Sequence, residues 1–173
     1  LVGYHARAEG RGILAHTINS WAFARVKLNG MEVGEAGIYG ALAGAYSVPV
    51  LMGSGDDAFI EETRLLFPQA VYVQTKRATG QGSGISLSPA LACSAIRTGV
   101  AHAVQQRAAC APWQIEGPVQ VEIQTQTPAL ADLFCQWPTL ARVDGDLLQF
   151  TAPDTESAVR MNNCLSAMSS MLR

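Results

Sequence analysis

Residues 21–57 read WAFARVKLNGMEVGEAGIYGALAGAYSVPVLMGSGDD, and this stretch predicts a strand, a tight turn, a helix and a second strand. From Trp21 to Leu28 two kinds of side chain alternate, which indicates a strand with two different faces. Asn29-Gly30 is a dipeptide typical of a tight turn. Residues 34–46 are mostly Gly and Ala, which predicts a helix packed closely against a neighbour. The apolar run ending at Met52, followed by Gly-Ser-Gly, is typical of a buried parallel strand.

The rest of the chain continues the alternation of helices and strands. Helices are expected from Asp56 or Asp57 to about residue 67 and over 89–109, 128–137 and 154–172, with strands over 70–76, 119–126 and 147–151. The Gly- and Ser-rich residues 79–86 predict a flexible loop. This order predicts an α/β fold, a layered α/β/α sandwich with a mostly parallel or mixed sheet. We expect one domain over residues 1–173, with a subdivision near residues 111–118 left open.

The composition argues against several classes of function. Charged residues make up only 15% of the 173 residues, below the typical quarter, which favours a protein that buries outer surface against other copies. The net charge of −2 includes no basic stripe, so we expect no nucleic-acid partner. No apolar run reaches the roughly 20 residues of a membrane span. The four cysteines form no CxxC pair, which argues against a thiolate zinc site, and a cytoplasmic location is the simplest expectation.

Three side chains near the start of the chain form the candidate site: His5, His16 and Glu35. His5 follows an apolar stub at the expected C-terminal end of a strand, where α/β folds place ligands, and an imidazole there can bind zinc. His16 could act as a general acid or base. Glu35 begins the small-residue helix and could be a carboxylate metal ligand. Each also has a structural explanation, a hydrogen-bonded histidine or an acidic residue stabilised by the helix dipole, and the residues alone favour that explanation.

Other polar residues are explained without a functional site. Asp56 and Asp57 could suggest a metal, but capping of the following helix accounts for them more simply. The glycines of residues 80–84 lack the Lys-Ser or Lys-Thr that follows a phosphate-binding loop. His102 falls inside the long predicted helix, where we expect it to face solvent. None of these residues is therefore assigned a role.

Four motifs, in this order along the chain, resemble those of one enzyme family. They are G-Y-H-A-R-A at 3–8, H-T at 16–17, N-G-x-x-V-G-E at 29–35 and V-P-V-L-M-x-x-G-D-D at 48–57. The family is the D-aminopeptidases associated with dipeptide-transport operons, and a looser likeness covers nearly the whole chain. The resemblance implies a peptidase with two zinc ions in its complete active site, acting on short D-amino-acid peptides such as D-Ala-D-Ala. It also implies that His5 and Glu35 are zinc ligands, that His16 takes part in catalysis, and that the protein forms a ring-shaped homo-oligomer.

The resemblance further implies that the site needs more ligands. In the family an Asp-x-Glu pair and another histidine lie in an N-terminal segment, and this sequence begins at Leu1, after the position expected for them. We therefore expect the chain to be the C-terminal portion of a longer domain, incomplete at its N-terminus. A catalytic zinc normally has three protein ligands, more than His5 and Glu35 supply. Two alternatives stay open: a metal-dependent hydrolase of another amide, and an inactive fragment or assembly module.

Overall fold

The computed structural model describes residues 1–172, and Arg173 lies outside the described residues. The strands are β1 (Phe23–Leu28), β2 (Met31–Glu32), β3 (Met52–Gly55), β4 (Val71–Gln74), β5 (Lys76–Gly80), β6 (Ser83–Ser86), β7 (Val119–Thr125), β8 (Ala141–Arg142) and β9 (Leu147–Ala152). The helices are α1 (Glu35–Ala45), α2 (Asp57–Arg64), α3 (Pro89–Gln105), α4 (Pro128–Phe134) and α5 (Thr155–Met168), with 3-10 turns at Arg107–Ala109 and Ser169–Leu172. The predicted α/β class is confirmed.

Five strands form an antiparallel sheet in the order β2-β1-β7-β9-β8. The strands β1 and β2 are joined by Asn29 and Gly30, whose φ angles of 47° and 78° are those that a two-residue hairpin turn requires. In β1, Val26 and Leu28 are buried while Arg25 is partly exposed, which confirms the predicted strand with two different faces. The buried face packs with side chains of α1, α4 and α5 into the main hydrophobic core.

Helix α1 packs as closely as its small residues predicted. A Cβ atom added at Gly44 would lie 1.9 Å from the carbonyl oxygen of Trp113, and one at Gly40 would lie 2.3 Å from Cζ of Phe67. Both distances are far below van der Waals contact, so these two neighbours occupy the space that larger side chains would need. The close packing offsets the low helix propensity of glycine.

Parallel strand pairing occurs between β3 and β4, and residues 1–4 run alongside β3 through a parallel bridge between Val2 and Ser54. The parallel pairing was predicted, but the strand begins at Met52 rather than ending there. Its glycines lie under the ring of Phe59 in α2, and a Cβ at Gly55 would be 2.6 Å from Cδ1 of that ring. Gly-Ser-Gly is therefore the strand itself, because only glycine leaves room for the helix that covers it.

The prediction of a flexible loop over residues 79–86 is wrong. These residues belong to an antiparallel hairpin of β5 and β6, in which Arg77 pairs with Ile85. One of its glycines reflects close packing, because a Cβ at Gly84 would lie 2.3 Å from Cδ1 of Ile13. The hairpin consequently lies against the loop that contains both N-terminal histidines.

Helix α3 begins with Ser88 as its N-cap and Pro89 in its first turn, as predicted. Most of its side chains are exposed, and Gly99 lies against Val73 of β4. No helix within residues 1–172 is long and apolar enough to cross a membrane. The predicted single domain, with its open subdivision near residues 111–118, stays a prediction.

Candidate metal centre

The two N-terminal histidines meet because the loop between them folds back on itself. The backbone N–H of His16 donates to the carbonyl of Ala6 at 3.0 Å, and the N–H of Ala8 donates to Oγ1 of Thr17 at 3.0 Å. These bonds place residues 16–17 beside residues 6–8. The imidazole centroids of His5 and His16 are consequently 5.1 Å apart.

Both imidazoles are held through the same ring nitrogen. Nδ1 of His5 lies 2.8 Å from the carbonyl oxygen of Ile13, and Nδ1 of His16 lies 2.8 Å from that of Leu14. A carbonyl oxygen only accepts, so each Nδ1 carries the proton and donates it. In a neutral ring the Nε2 lone pair is then left for another partner, which is the arrangement typical of zinc-binding histidines.

Glu35 joins the histidines from the first turn of α1. One of its carboxylate oxygens, Oε1, accepts from the backbone N–H of Ile18 at 2.8 Å and lies 3.4 Å from Nε2 of His16. Because Nδ1 of His16 already donates, this second contact is favourable only when a proton or a metal cation lies between Nε2 and the carboxylate oxygen. The structure therefore brings all three residues predicted from the sequence into one place.

The donor atoms of this cluster are of the kind that zinc binds, but they are few. Imidazole nitrogen and carboxylate oxygen are common zinc ligands, and the orientation of His5 leaves Nε2 free to bind. Within residues 1–172, no group of three or more His, Cys, Asp or Glu side chains is arranged to hold one metal ion. The residues present thus fit part of a zinc site and need further donors.

Glu62 of α2 links the segments that carry His5 and Glu35, and the sequence analysis missed it. Its Oε2 accepts from the backbone N–H of Arg7 at 2.9 Å, and its carboxylate also bonds the backbone of Gly34. Burial raises the pKa of Glu62 above its usual value, while these hydrogen bonds oppose the increase. Nothing in the sequence of α2 distinguished Glu62 from an ordinary solvent-exposed helix residue.

Two tyrosines also border the cluster. Burial and then the charge of Glu35 raise the pKa of both Tyr4 and Tyr39, so both hydroxyls stay protonated. Tyr39 donates to Oδ1 of Asn163 at 3.2 Å. Its position four residues after Glu35 on one helix face was a signal available in the sequence.

The remaining candidates have structural positions, and capping of α2 is confirmed for Asp56 but not for Asp57. Oδ1 of Asp56 accepts from the backbone N–H of Phe59 at 2.8 Å, so Asp56 is the N-cap of α2. Asp57 accepts from the backbone N–H of Ala78 at 2.8 Å and holds the start of the β5–β6 hairpin. His102 is exposed on α3, where it contacts Gln106.

The sequence profile of peptidase family M55, described as D-aminopeptidase, matches residues 1–164. The chain belongs to this family. A curated family relative, the D-aminopeptidase of Bacillus subtilis (strain 168), is 34% identical over 106 residues, which cover 61% of this chain and 38% of the relative.

A solved D-aminopeptidase structure has nearly the same fold as this chain. It is the Zn-dependent D-aminopeptidase DppA from Bacillus subtilis, described as a self-compartmentalizing protease, with a TM-score of 0.92 and 26% sequence identity. The match covers 97% of this chain and 61% of the DppA chain. The chain thus spans less than two thirds of either relative.

The raised pKa of Glu62 predicts a pH dependence of the stability of this D-aminopeptidase family member. A carboxyl group whose pKa is raised by folding stabilises the folded state fully when the pH is below its unfolded pKa of about 4.5. This contribution is lost as the pH rises through the folded pKa. The free energy of unfolding, relative to that of Glu62→Gln, should therefore fall as the pH increases above about 4.5. Urea unfolding at several pH values measures it.

The exposed neighbour Glu61 provides the matched control for this measurement, since Glu61→Gln changes the same charge one residue away. We expect Glu61→Gln to keep the wild-type pH profile. A stability difference between wild type and Glu62→Gln that stays constant or increases with pH contradicts the prediction.

Proposed function

We propose that the chain is part of a zinc-dependent aminopeptidase that removes N-terminal D-amino acids from short peptides such as D-Ala-D-Ala. The observation that carries the proposal is the meeting of His5, His16 and Glu35, with both imidazoles fixed through Nδ1 by backbone carbonyls. Family membership and the zinc dependence stated for DppA support it.

In this proposal, His5 and Glu35 are zinc ligands and His16 is the catalytic residue. His5 offers Nε2, and Glu35 offers a carboxylate whose orientation is fixed by the N–H of Ile18. A complete site holds two zinc ions and needs more donors than His5 and Glu35 supply. Bound zinc lowers the pKa of water and polarises a carbonyl group, which is the chemistry that peptide hydrolysis needs.

His16 is suited to carry a proton during the reaction. Leu14 fixes Nδ1, so Nε2 is the nitrogen that takes and returns the proton. Oε1 of Glu35 lies 3.4 Å from this nitrogen. These contacts hold the ring in one orientation throughout a proton transfer.

A cleft beside the histidine loop supports a short peptide as substrate. Its volume is about 540 Å³, and its lining includes Ala6, the residue after His5, together with Leu65 and Leu66. The charged side chains of its lining are two arginines and three glutamates: Arg7, Arg11, Glu32, Glu61 and Glu62. The volume of the cleft is that of a site for a small molecule, which is consistent with a substrate as short as a dipeptide.

We also propose that the protein is cytoplasmic and assembles into a ring-shaped homo-oligomer. The charged fraction of 15% supports assembly, as do the exposed apolar side chains of α3: Leu91, Val100 and Val104. The description of DppA as self-compartmentalizing supports a closed assembly. The free thiols of the four cysteines agree with a reducing compartment.

Hydrolysis of dipeptides of opposite chirality tests the proposed activity. We expect the whole protein, loaded with zinc, to hydrolyse D-Ala-D-Ala and to leave L-Ala-L-Ala unchanged, because the proposed activity is specific for N-terminal D-residues. A chelator should abolish the activity and added zinc should restore it. Equal cleavage of both dipeptides, or cleavage of a non-peptide amide alone, supports another metal-dependent amidohydrolase. Absence of bound zinc from the whole protein supports an assembly module.

A further inference from the structure

One short segment, Ile13–Leu14, supplies both carbonyl groups that hold the histidines. Ile13 accepts from Nδ1 of His5 and Leu14 accepts from Nδ1 of His16, each at 2.8 Å. Leu14 has a φ angle of 52°, a left-handed conformation that is uncommon for a residue with a side chain. Such a conformation persists only where the surrounding structure holds it in place.

Asp56 holds this segment from inside the protein. Its carboxylate is buried, with 1% exposed, and each oxygen has a different partner. Oδ1 caps α2 through Phe59, while Oδ2 accepts from the backbone N–H of Ile13 at 2.6 Å. Capping a helix requires only one of these oxygens, so the bond to Ile13 is an additional contact that ties the histidine loop to the start of α2.

The β5–β6 hairpin holds the same segment from outside. The backbone N–H of Leu14 donates to the carbonyl of Gln81 at 2.7 Å, and this N–H belongs to the same peptide group as the Ile13 carbonyl that binds His5. Gly84 leaves room for the side chain of Ile13, since a Cβ there would lie 2.3 Å from Cδ1 of Ile13. The peptide that orients His5 is thus fixed on both of its polar atoms.

We propose that Asp56 and the β5–β6 hairpin are positioning elements of the metal centre. They act through the Ile13–Leu14 segment and fix His5 and His16 in the tautomer that keeps Nδ1 protonated and Nε2 available. The hydrogen bonds that orient metal-binding histidines tune the metal affinity in this way in other proteins. The inference rests on the proposed function in one respect, the roles of His5 as a zinc ligand and of His16 as the catalytic residue.

Two substitutions test the positioning from opposite sides. Asp56→Ser keeps a side-chain oxygen for the cap of α2 and removes the second oxygen, which Ile13 needs. Gly84→Ala places a methyl group 2.3 Å from Cδ1 of Ile13 and 2.7 Å from the carbonyl oxygen of Arg77 in the paired strand, and leaves Asp56 intact. The matched controls are Asp154→Ser, which changes the N-cap of α5 in the same way, and Gly82→Ala, where an added Cβ meets nothing within 4 Å.

The readout is the ¹⁵N and ¹H NMR spectrum of the imidazole groups, which is simple because the chain contains three histidines. In the wild type and both controls, His5 should show a protonated Nδ1 and a bare Nε2. Both test variants should lose the Nδ1 proton signal of His5, and their zinc affinity should fall about 10–100-fold.

Wild-type imidazole signals in both test variants would overturn the proposal. If Asp56→Ser does not fold, Gly84→Ala decides alone, because residues 83–86 are exposed and lie outside the hydrophobic core clusters. A whole wild-type protein that binds no zinc would argue against the proposed function. The imidazole spectra would still test the positioning, so the two failures are distinguishable.

Discussion

We expect the replacement of His16 by alanine in the whole protein to lower kcat for the proposed substrate D-Ala-D-Ala about 10²–10⁴-fold, the usual contribution of a general acid or base. The zinc content stays the same, because His16 carries a proton in the proposed mechanism and does not bind the metal. KM changes little, since the side chain that is removed acts in the transition state rather than in binding the peptide. Steady-state kinetics and metal analysis of the same preparation measure both quantities.

His102→Ala is the matched control for His16→Ala, because His102 is exposed on α3 and has no assigned role. Its kcat should equal that of the wild type. A His16→Ala variant with unchanged kcat would remove His16 from the mechanism. Loss of zinc together with activity would instead make His16 a metal ligand.

Replacing His5 by alanine has the second large effect, the loss of bound zinc. The variant lacks the Nε2 donor, and the affinity for zinc should fall by more than the roughly 100-fold seen when only a hydrogen bond to a ligand is removed. Activity at limiting zinc should disappear with it. Metal titration by calorimetry measures the affinity, and far-UV circular dichroism checks that the variant remains folded.

Glu35→Gln is the companion variant, because the amide keeps the size of the side chain and removes its charge. Its zinc affinity should fall as well, and one amide oxygen remains to accept from Ile18. His102→Ala again serves as the control with an intact site. Full zinc affinity in both His5→Ala and Glu35→Gln would show that these residues are not the ligands.

Much of the local structure was predictable because short sequence patterns determine it. Asn29-Gly30 predicted the hairpin turn, and Ser88-Pro89 predicted the start of α3. The small residues of α1 predicted its close packing. The hairpin of residues 76–86 was missed because glycine and serine favour loops when only neighbouring residues are considered. Its contact with Ile13 comes from a distant part of the chain, which local patterns do not report.

The candidate site was predictable as a set of residues but not as an arrangement. The motifs named His5, His16 and Glu35, while their spacing gave no information on which ring nitrogen faces the carboxylate. That orientation depends on two carbonyl groups, of Ile13 and Leu14, and every residue has a carbonyl group. The backbone carbonyl groups that accept these hydrogen bonds therefore cannot be identified from the amino-acid sequence.

The sequence by itself determined the family and the three side chains that carry the proposed chemistry, because residue type and order along the chain suffice for both. Only the tertiary structure decided how those side chains are held. Asp56 and Glu62, which read as ordinary helix residues, reach Ile13 and Arg7 across 43 and 55 positions of the chain. Such contacts exist only after the core has placed α2 beside the histidine loop, so the orientation of the site is a property of the fold.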